Sequence, residues 1–181
     1  NEMQVINEVV PSDPKQIEGM MEAGPEGPVF MINLLKFKDK AEYADGRETD
    51  LTGRQAYQLY GAGVTGLLPE YGARFFFMAD TTFLSLGQVE ELWDEVAIAV
   101  YPDRNALFRM SSSQEWRDLA IHREAGLKGQ LNIESVMPKG LQALPWMELF
   151  LKDMVSCSGL GGSRLDWRYS SPWQGLGLIC S

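Results

Sequence analysis

Two long apolar runs dominate the chain, and each is broken by polar residues. Residues 28–37, Pro-Val-Phe-Met-Ile-Asn-Leu-Leu-Lys-Phe, hold Asn33 near the middle. Residues 92–101, Leu-Trp-Asp-Glu-Val-Ala-Ile-Ala-Val-Tyr, carry Asp94 and Glu95 near the start. Both runs predict buried strands. In the second, one face reads Trp93, Glu95, Ala97, Ala99, Tyr101 and the other Asp94, Val96, Ile98, Val100. Neither is a solvent face throughout. Polar groups inside such strands cost free energy unless paired. They are therefore structural hydrogen-bonding partners or the lining of a small-molecule site.

The segments between the runs alternate in type. Gln4–Val10 reads as a short strand or arm, and Pro14 opens a helix over about 14–23, capped by Asp13 or Ser12 and stopped by Gly24. Residues 38–51 are charged and irregular, an exposed loop long enough to act as a flap. Thr52 and Gln55 form a capping-box pattern. A helix follows with Tyr57, Tyr60, Val64, Leu67, Leu68 and Tyr71 at helical spacing. Gly61, Gly63 and Gly66 suggest that it comes close to the sheet or a ligand. After Gly72, residues 74–78 predict a strand, extended past a bend by 82–86. Pro102 and Asp103 start a helix that Ser111-Ser112-Ser113 interrupts. Ser112 and Glu115 offer a second capping box, followed by a stripe of Trp116, Leu119, Ala120 and Arg123. Residues 131–136 alternate as a last strand.

The order β-α-β-β-α-β predicts an α+β, ferredoxin-like fold with an antiparallel sheet. One sheet face would pack on two helices. The other is also apolar, and pairing two sheets in a homodimer would cover it. The division expected is an N-terminal arm and short helix over 1–24, a core domain over 25–138, and an extension over 139–181. Leu144–Val155 in that extension has the spacing of an amphipathic helix, and an irregular tail follows.

Composition narrows the function. The net charge of −9 is spread as −5 over residues 1–27, −5 over 28–138 and +1 over 139–181. An acidic core argues against a nucleic-acid partner. The apolar runs are too short for a membrane span, and no secretory signal is read, so a soluble, cytoplasmic protein is expected. Both cysteines, Cys157 and Cys180, lie in the tail, and no Cys/His cluster has zinc spacing. Neither a metal nor a cofactor is expected.

Asn-Leu-Leu-Lys-Phe-Lys after a strand start, Tyr57-x-x-Tyr60-Gly61, Trp93-Asp94-Glu95-Val96, Tyr101-Pro102 and His122-Arg123-Glu124-Ala125-Gly126-Leu127 stand in one order along residues 25–138. Together they resemble the domain-of-unknown-function-1330 family of the dimeric α/β-barrel superfamily. The resemblance implies a homodimer whose two sheets form a barrel, with a pocket in each subunit. Superfamily relatives include cofactor-free monooxygenases, cyclases, isomerases, lyases and haem enzymes, so it speaks to fold more than to reaction.

The candidate residues follow from chemistry. The strands at 28–37 and 92–101 are expected side by side and parallel, so that Asn33 would share a face with Asp94 or Trp93. A buried Asp94 could then serve as acid or base. Tyr57 and Tyr60 share a helical face and could donate to a carbonyl or enolate oxygen. His122, the sole histidine, suits proton transfer near neutral pH, although a histidine there can simply complement a helix dipole. Lys36 and Arg104 could bind an anionic substrate. The expected catalytic set is thus Asp94, His122 and Tyr57, with Asn33, Lys36, Tyr60, Trp93 and Arg104 binding substrate. The expected function is a cofactor-independent enzyme, such as an isomerase, cyclase, lyase or monooxygenase, acting on a compact carbonyl, enol or aromatic compound. The alternatives are a non-catalytic ligand-binding or stress-response dimer and an interaction module using the C-terminal arm.

Overall fold

The structure, a computed structural model, describes residues 5–138. The expected C-terminal helix and both cysteines lie outside the described residues. The elements are α1 (Pro14–Met21), β1 (Val29–Phe37), α2 (Gly53–Leu67) with a 3₁₀ turn (Leu68–Tyr71), β2 (Arg74–Asp80), β3 (Glu95–Tyr101), α3 (Arg104–Ser111), α4 (Gln114–Gly126) and β4 (Leu127–Ser135). The strands form one sheet in the order β2-β3-β1-β4, antiparallel throughout. This is the ferredoxin-like α+β fold.

Local chemistry sets the boundaries. Asp13 caps α1 by accepting from the Lys15 N–H. Thr52 and Gln55 complete the capping box of α2. Gly72 closes the 3₁₀ turn at φ 68°, in the left-handed region where glycine carries no Cβ penalty. Asp103 caps α3 and Ser113, rather than Ser112, caps α4 through the Trp116 N–H.

Five expectations are revised. β1 and β3 are antiparallel, paired as Leu35 with Glu95 and Val29 with Tyr101, because β3 is the middle strand between the parallel β1 and β2 of a split β-α-β unit. Residues 82–86 form no strand, and β3 begins at Glu95 rather than 92. β4 begins at Leu127, four residues early, because α4 runs directly into it without an intervening turn. The 38–51 loop is irregular but pinned. The Lys38 N–H donates to Gly126 O at 2.9 Å, Ala41 N–H to Leu51 O at 2.9 Å and Glu42 N–H to Ala125 O at 3.0 Å, while Ala41 and Tyr43 are buried.

One sheet face packs on the helices. Val29, Met31, Leu35, Phe37, Ala97, Ala99 and Tyr101 meet Tyr57, Val64 and Leu67 of α2 and Met110 of α3. The helices α2 and α4 cross closely at Gly53 and Gly126, where a Cβ on either would overlap the other's carbonyl oxygen. A Cβ at Gly63 would meet the Leu119 side chain of α4, so this glycine also serves helix–helix contact. The opposite sheet face carries Phe30, Ile32 and Leu34 of β1, with Val96, Ile98 and Val100 opposite them on β3 and Leu131 and Ile133 on β4. No described element covers its centre. On it Phe77 is 49% exposed and Ile133 45%.

Candidate functional site

Strand alternation assigns adjacent carboxylates to opposite surroundings. Asp94 stands just before β3 and is fully engaged. Its Oδ1 accepts from Lys36 Nζ at 3.0 Å and its Oδ2 from the Phe37 N–H at 2.8 Å. Its N–H donates to Leu35 O at 2.8 Å. Lys36 also reaches Leu92 O at 2.9 Å and Glu91 at 3.3 Å, and pairing with Asp94 raises its pKa. Asp94 and Lys36 together tie the β1 end to the β3 entry. They do not share a face with Asn33, because residues of opposite parity in β1 point to opposite faces.

Glu95 points under the helices. It is 4% exposed. Its Oε2 accepts from Arg54 Nη1 at 3.0 Å, while its Oε1 is buried and has no hydrogen-bond partner. Arg54 also binds Asp80, the cross-strand neighbour of Glu95, at 2.7 Å, and its guanidinium lies 4.6 Å from the Phe37 ring centre. Burial pushes the Glu95 pKa up. Arg54 opposes that shift, and Asp80 and Asp94 add to it.

Beyond Glu95 the same face of β3 runs Ala97, Ala99, Tyr101. The two alanines are buried in the core, packed among tyrosines of α2 and β3. Tyr57 is 7% exposed and Tyr101 5%, and neither hydroxyl makes a hydrogen bond among the described residues. Burial lifts the Tyr57 pKa well above the ordinary phenol value. Tyr60, Glu95 and Tyr101 add to that shift and Arg123 opposes it. Tyr60 accepts from Trp116 Nε1 at 3.2 Å, and its ring centre lies 5.4 Å from that of Tyr57. Burial raises the Tyr60 and Tyr101 pKa values as well. With these shifts the three phenols stay protonated. An orphaned buried carboxylate oxygen requires an explanation, and a ligand supplies one.

Asn33 belongs to this face. Its amide nitrogen donates to Met31 O at 3.0 Å and Ala97 O at 3.1 Å, and its Oδ1 accepts from Gln130 Nε2 at 3.0 Å. Gln130 Oε1 in turn accepts from Arg123 Nε at 3.1 Å and Nη2 at 2.8 Å. The remaining sequence candidates lie apart from this cluster. Trp93 Nε1 donates to Asn7 Oδ1 at 3.0 Å and holds the N-terminal arm. Arg104 forms a bidentate pair with Glu134, both contacts 2.7 Å, and donates to Gly19 O at 2.9 Å, fixing α1 to α3 and β4. His122 Nδ1 is 2.7 Å from the Tyr43 hydroxyl. Burial and then Arg47 depress its pKa. It faces the 38–52 loop, where an open depression of about 510 Å³ is lined by Lys40, Tyr43, Arg47, Glu48 and Asp50. Among the described residues no cluster of three His, Cys, Asp or Glu is placed to hold a metal ion, and no helix is long and apolar enough to cross a membrane.

Sequence reasoning thus brings together Asn33, Tyr57 and Tyr60 but selects Asp94 where Glu95 faces inward. It leaves out Glu95, Tyr101, Arg123 and Gln130. One signal pointed to Glu95, which shares its face with two small alanines, and another to Arg123, which shares a helical stripe with Trp116 and Leu119.

No protein-family model matches the chain, and no curated protein matches it. Among solved structures, the methylated RPA0582 protein aligns at 28% identity with a TM-score of 0.66, covering 74% of this chain and 98% of that one. RPA0582 of Rhodopseudomonas palustris, a structural genomics target of unknown function, aligns at 25% identity with a TM-score of 0.64, covering 74% and 100%. A dimeric ferredoxin-like protein of unknown function from Thermobifida fusca aligns at 12% identity with a TM-score of 0.38, covering 63% and 94%. The chain is similar to proteins whose fold is known and whose activity is not.

Proposed function

We propose that the protein is a homodimer that binds a compact carbonyl, enol or aromatic compound between the sheet and α2/α4 and moves a proton on it without a cofactor. The observation that carries this reading is the buried Glu95 Oε1 with no partner, beside the unbonded Tyr57 hydroxyl. A carboxyl whose pKa burial raises is suited to take and return a proton closer to neutral pH than an ordinary glutamate. In the step proposed, the Glu95 carboxylate takes a proton from the carbon next to a carbonyl. The C–H electron pair moves to the carbonyl oxygen, where the neutral Tyr57 phenol donates a hydrogen bond to the growing negative charge. Return of the proton gives the tautomer. The open apolar sheet face supports the dimer, because an exposed patch of this kind marks a contact surface.

The experiment is α-proton exchange in D₂O, followed by proton NMR on a panel of small ketones and 2-oxo acids. Wild-type protein should catalyse exchange on a subset, and Glu95→Gln should slow it by about 100-fold or more with an unchanged circular dichroism spectrum. Equal exchange by the variant would sink the role of Glu95. Tight binding of a panel member without exchange would favour the non-catalytic dimer.

A further inference from the structure

We infer that the ligand carries a carboxylate or an equivalent oxyanion, and that Arg123, buttressed by Asn33 through Gln130, receives it. This inference rests on the proposed site and names its substrate class.

Arg123 is half-buried in the last turn of α4 and makes no ion pair among the described residues. Its partners are neutral: Gln130 Oε1, reached from Nε and Nη2, and the Val9 carbonyl of the N-terminal arm, 2.7 Å from Nη1. A guanidinium has five N–H donors, and these contacts use three of them. A half-buried cation matched only by neutral oxygens lacks its counter-charge, and such charges are otherwise paired. Lys36, Arg47, Arg54, Arg104 and Lys128 each have a carboxylate.

The orientation of Arg123 is set from the sheet. Two backbone carbonyls fix the Asn33 amide nitrogen, so Asn33 Oδ1 must accept. Gln130 therefore presents its amide nitrogen to Asn33 and to Asn132, and its oxygen to Arg123. Asn33 is on this argument a positioning residue. The ligand's neighbours would be the buried Tyr57 and Tyr60, whose titration feels the Arg123 charge. The arm closes the outside. Glu8 and Gln130 exchange backbone hydrogen bonds of 3.2 and 3.0 Å, and Val9 packs on the Leu35, Phe37, Tyr57 cluster. The Val9 carbonyl occupies one position that a ligand oxygen would take.

The test uses the full chain and matched compounds: phenylpyruvate against phenylacetone, and salicylate against salicylamide, titrated by calorimetry. In each pair the carboxylate should bind about tenfold or more tightly than its neutral partner, the range expected for a charge-assisted contact. Arg123→Gln should cut that preference to about twofold or less, and Arg123→Lys should keep part of it. Asn33→Ala leaves the charge in place and should weaken the carboxylates several-fold while sparing the neutral compounds. It serves as the readout if Arg123→Gln does not fold. Equal binding within the pairs, or a preference that survives both Arg123→Gln and Asn33→Ala, overturns the inference. If neutral compounds bind equally and Glu95→Gln abolishes their α-proton exchange, the site stands and only its anion preference falls. If no compound binds, both readings fall.

Discussion

The covered face of the sheet sets polar groups within an apolar core, and the open face is apolar where a surface is usually polar. Under the helices lie Glu95, Asn33, Gln130 and the phenols of Tyr57, Tyr60 and Tyr101. On the other side Ile32, Leu34, Val96, Ile98, Phe77 and Ile133 have no described element over their centre. A buried polar group and an exposed large apolar patch are the two departures from ordinary burial that carry information. The first points to a ligand and the second to another protein surface. Placing the two on opposite sides of one sheet allows the contact surface to be rigid without crowding the site.

The largest effect should come from charging the open face. Ile32 lies on a central strand with Ile98 and Ile133 opposite it. Ile32→Asp should weaken a homodimer by about 1,000-fold or more, since a buried unpaired carboxylate costs several kcal/mol. Analytical ultracentrifugation reads the result, and a variant that stays dimeric at the wild-type concentration would place the interface elsewhere.

Next comes the covered face. Burial raises the Glu95 pKa, so the folded state holds the proton more tightly than the unfolded chain does. Its favourable contribution is present below the ordinary glutamate value and is lost as pH rises through the elevated folded pKa. Denaturant melts of wild type and Glu95→Gln should therefore converge in acid and separate towards neutral pH in favour of the glutamine. Separation in the opposite sense would mean that the carboxylate form is the one the fold prefers.

Asp94 supplies the contrast with its neighbour. Asp94→Asn removes the charge facing Lys36 but retains an oxygen for the Phe37 N–H. It should cost about 1 kcal/mol in a urea melt, consistent with a part-exposed ion pair, and leave α-proton exchange unchanged. Loss of exchange without loss of stability would return the acid–base role to Asp94.

The smallest effect concerns the arm. A Cβ at Gly129 would overlap Asn7. Gly129→Ala should release residues 5–10 and raise their amide exchange, with only a small change in melting temperature. Retained protection of the Glu8 amide would show that the arm tolerates the methyl group.

Much of this architecture was legible in the residues. Thr52 with Gln55, Asp13 before Pro14, and Asp103 after Pro102 marked three helix starts, because capping is local chemistry. The antiparallel pairing of β1 with β3 was not legible from those strands alone, because direction depends on the topology of the whole sheet. Nor was the choice between Asp94 and Glu95. Both faces of residues 92–101 are apolar, so alternation alone does not say which faces the helices. The answer lay in size: Ala97 and Ala99 sit beneath helices, whereas Val96, Ile98 and Val100 fill a face that seeks a partner. His122 was singled out for its versatile chemistry, and its position on α4 directs it to Tyr43 and the loop. Arg123, one residue on, turns the other way to Gln130 and Val9.

The most direct test of the central claim is a carbon-13 NMR titration of the Glu95 carboxyl, assigned by comparison with Glu95→Gln. The account predicts a midpoint above the ordinary glutamate value, and a further change in the signal when a panel compound that exchanges its α-protons is added. A midpoint at or below the ordinary value, with no response to such a compound, would contradict it and leave Glu95 as one half of a structural pair with Arg54.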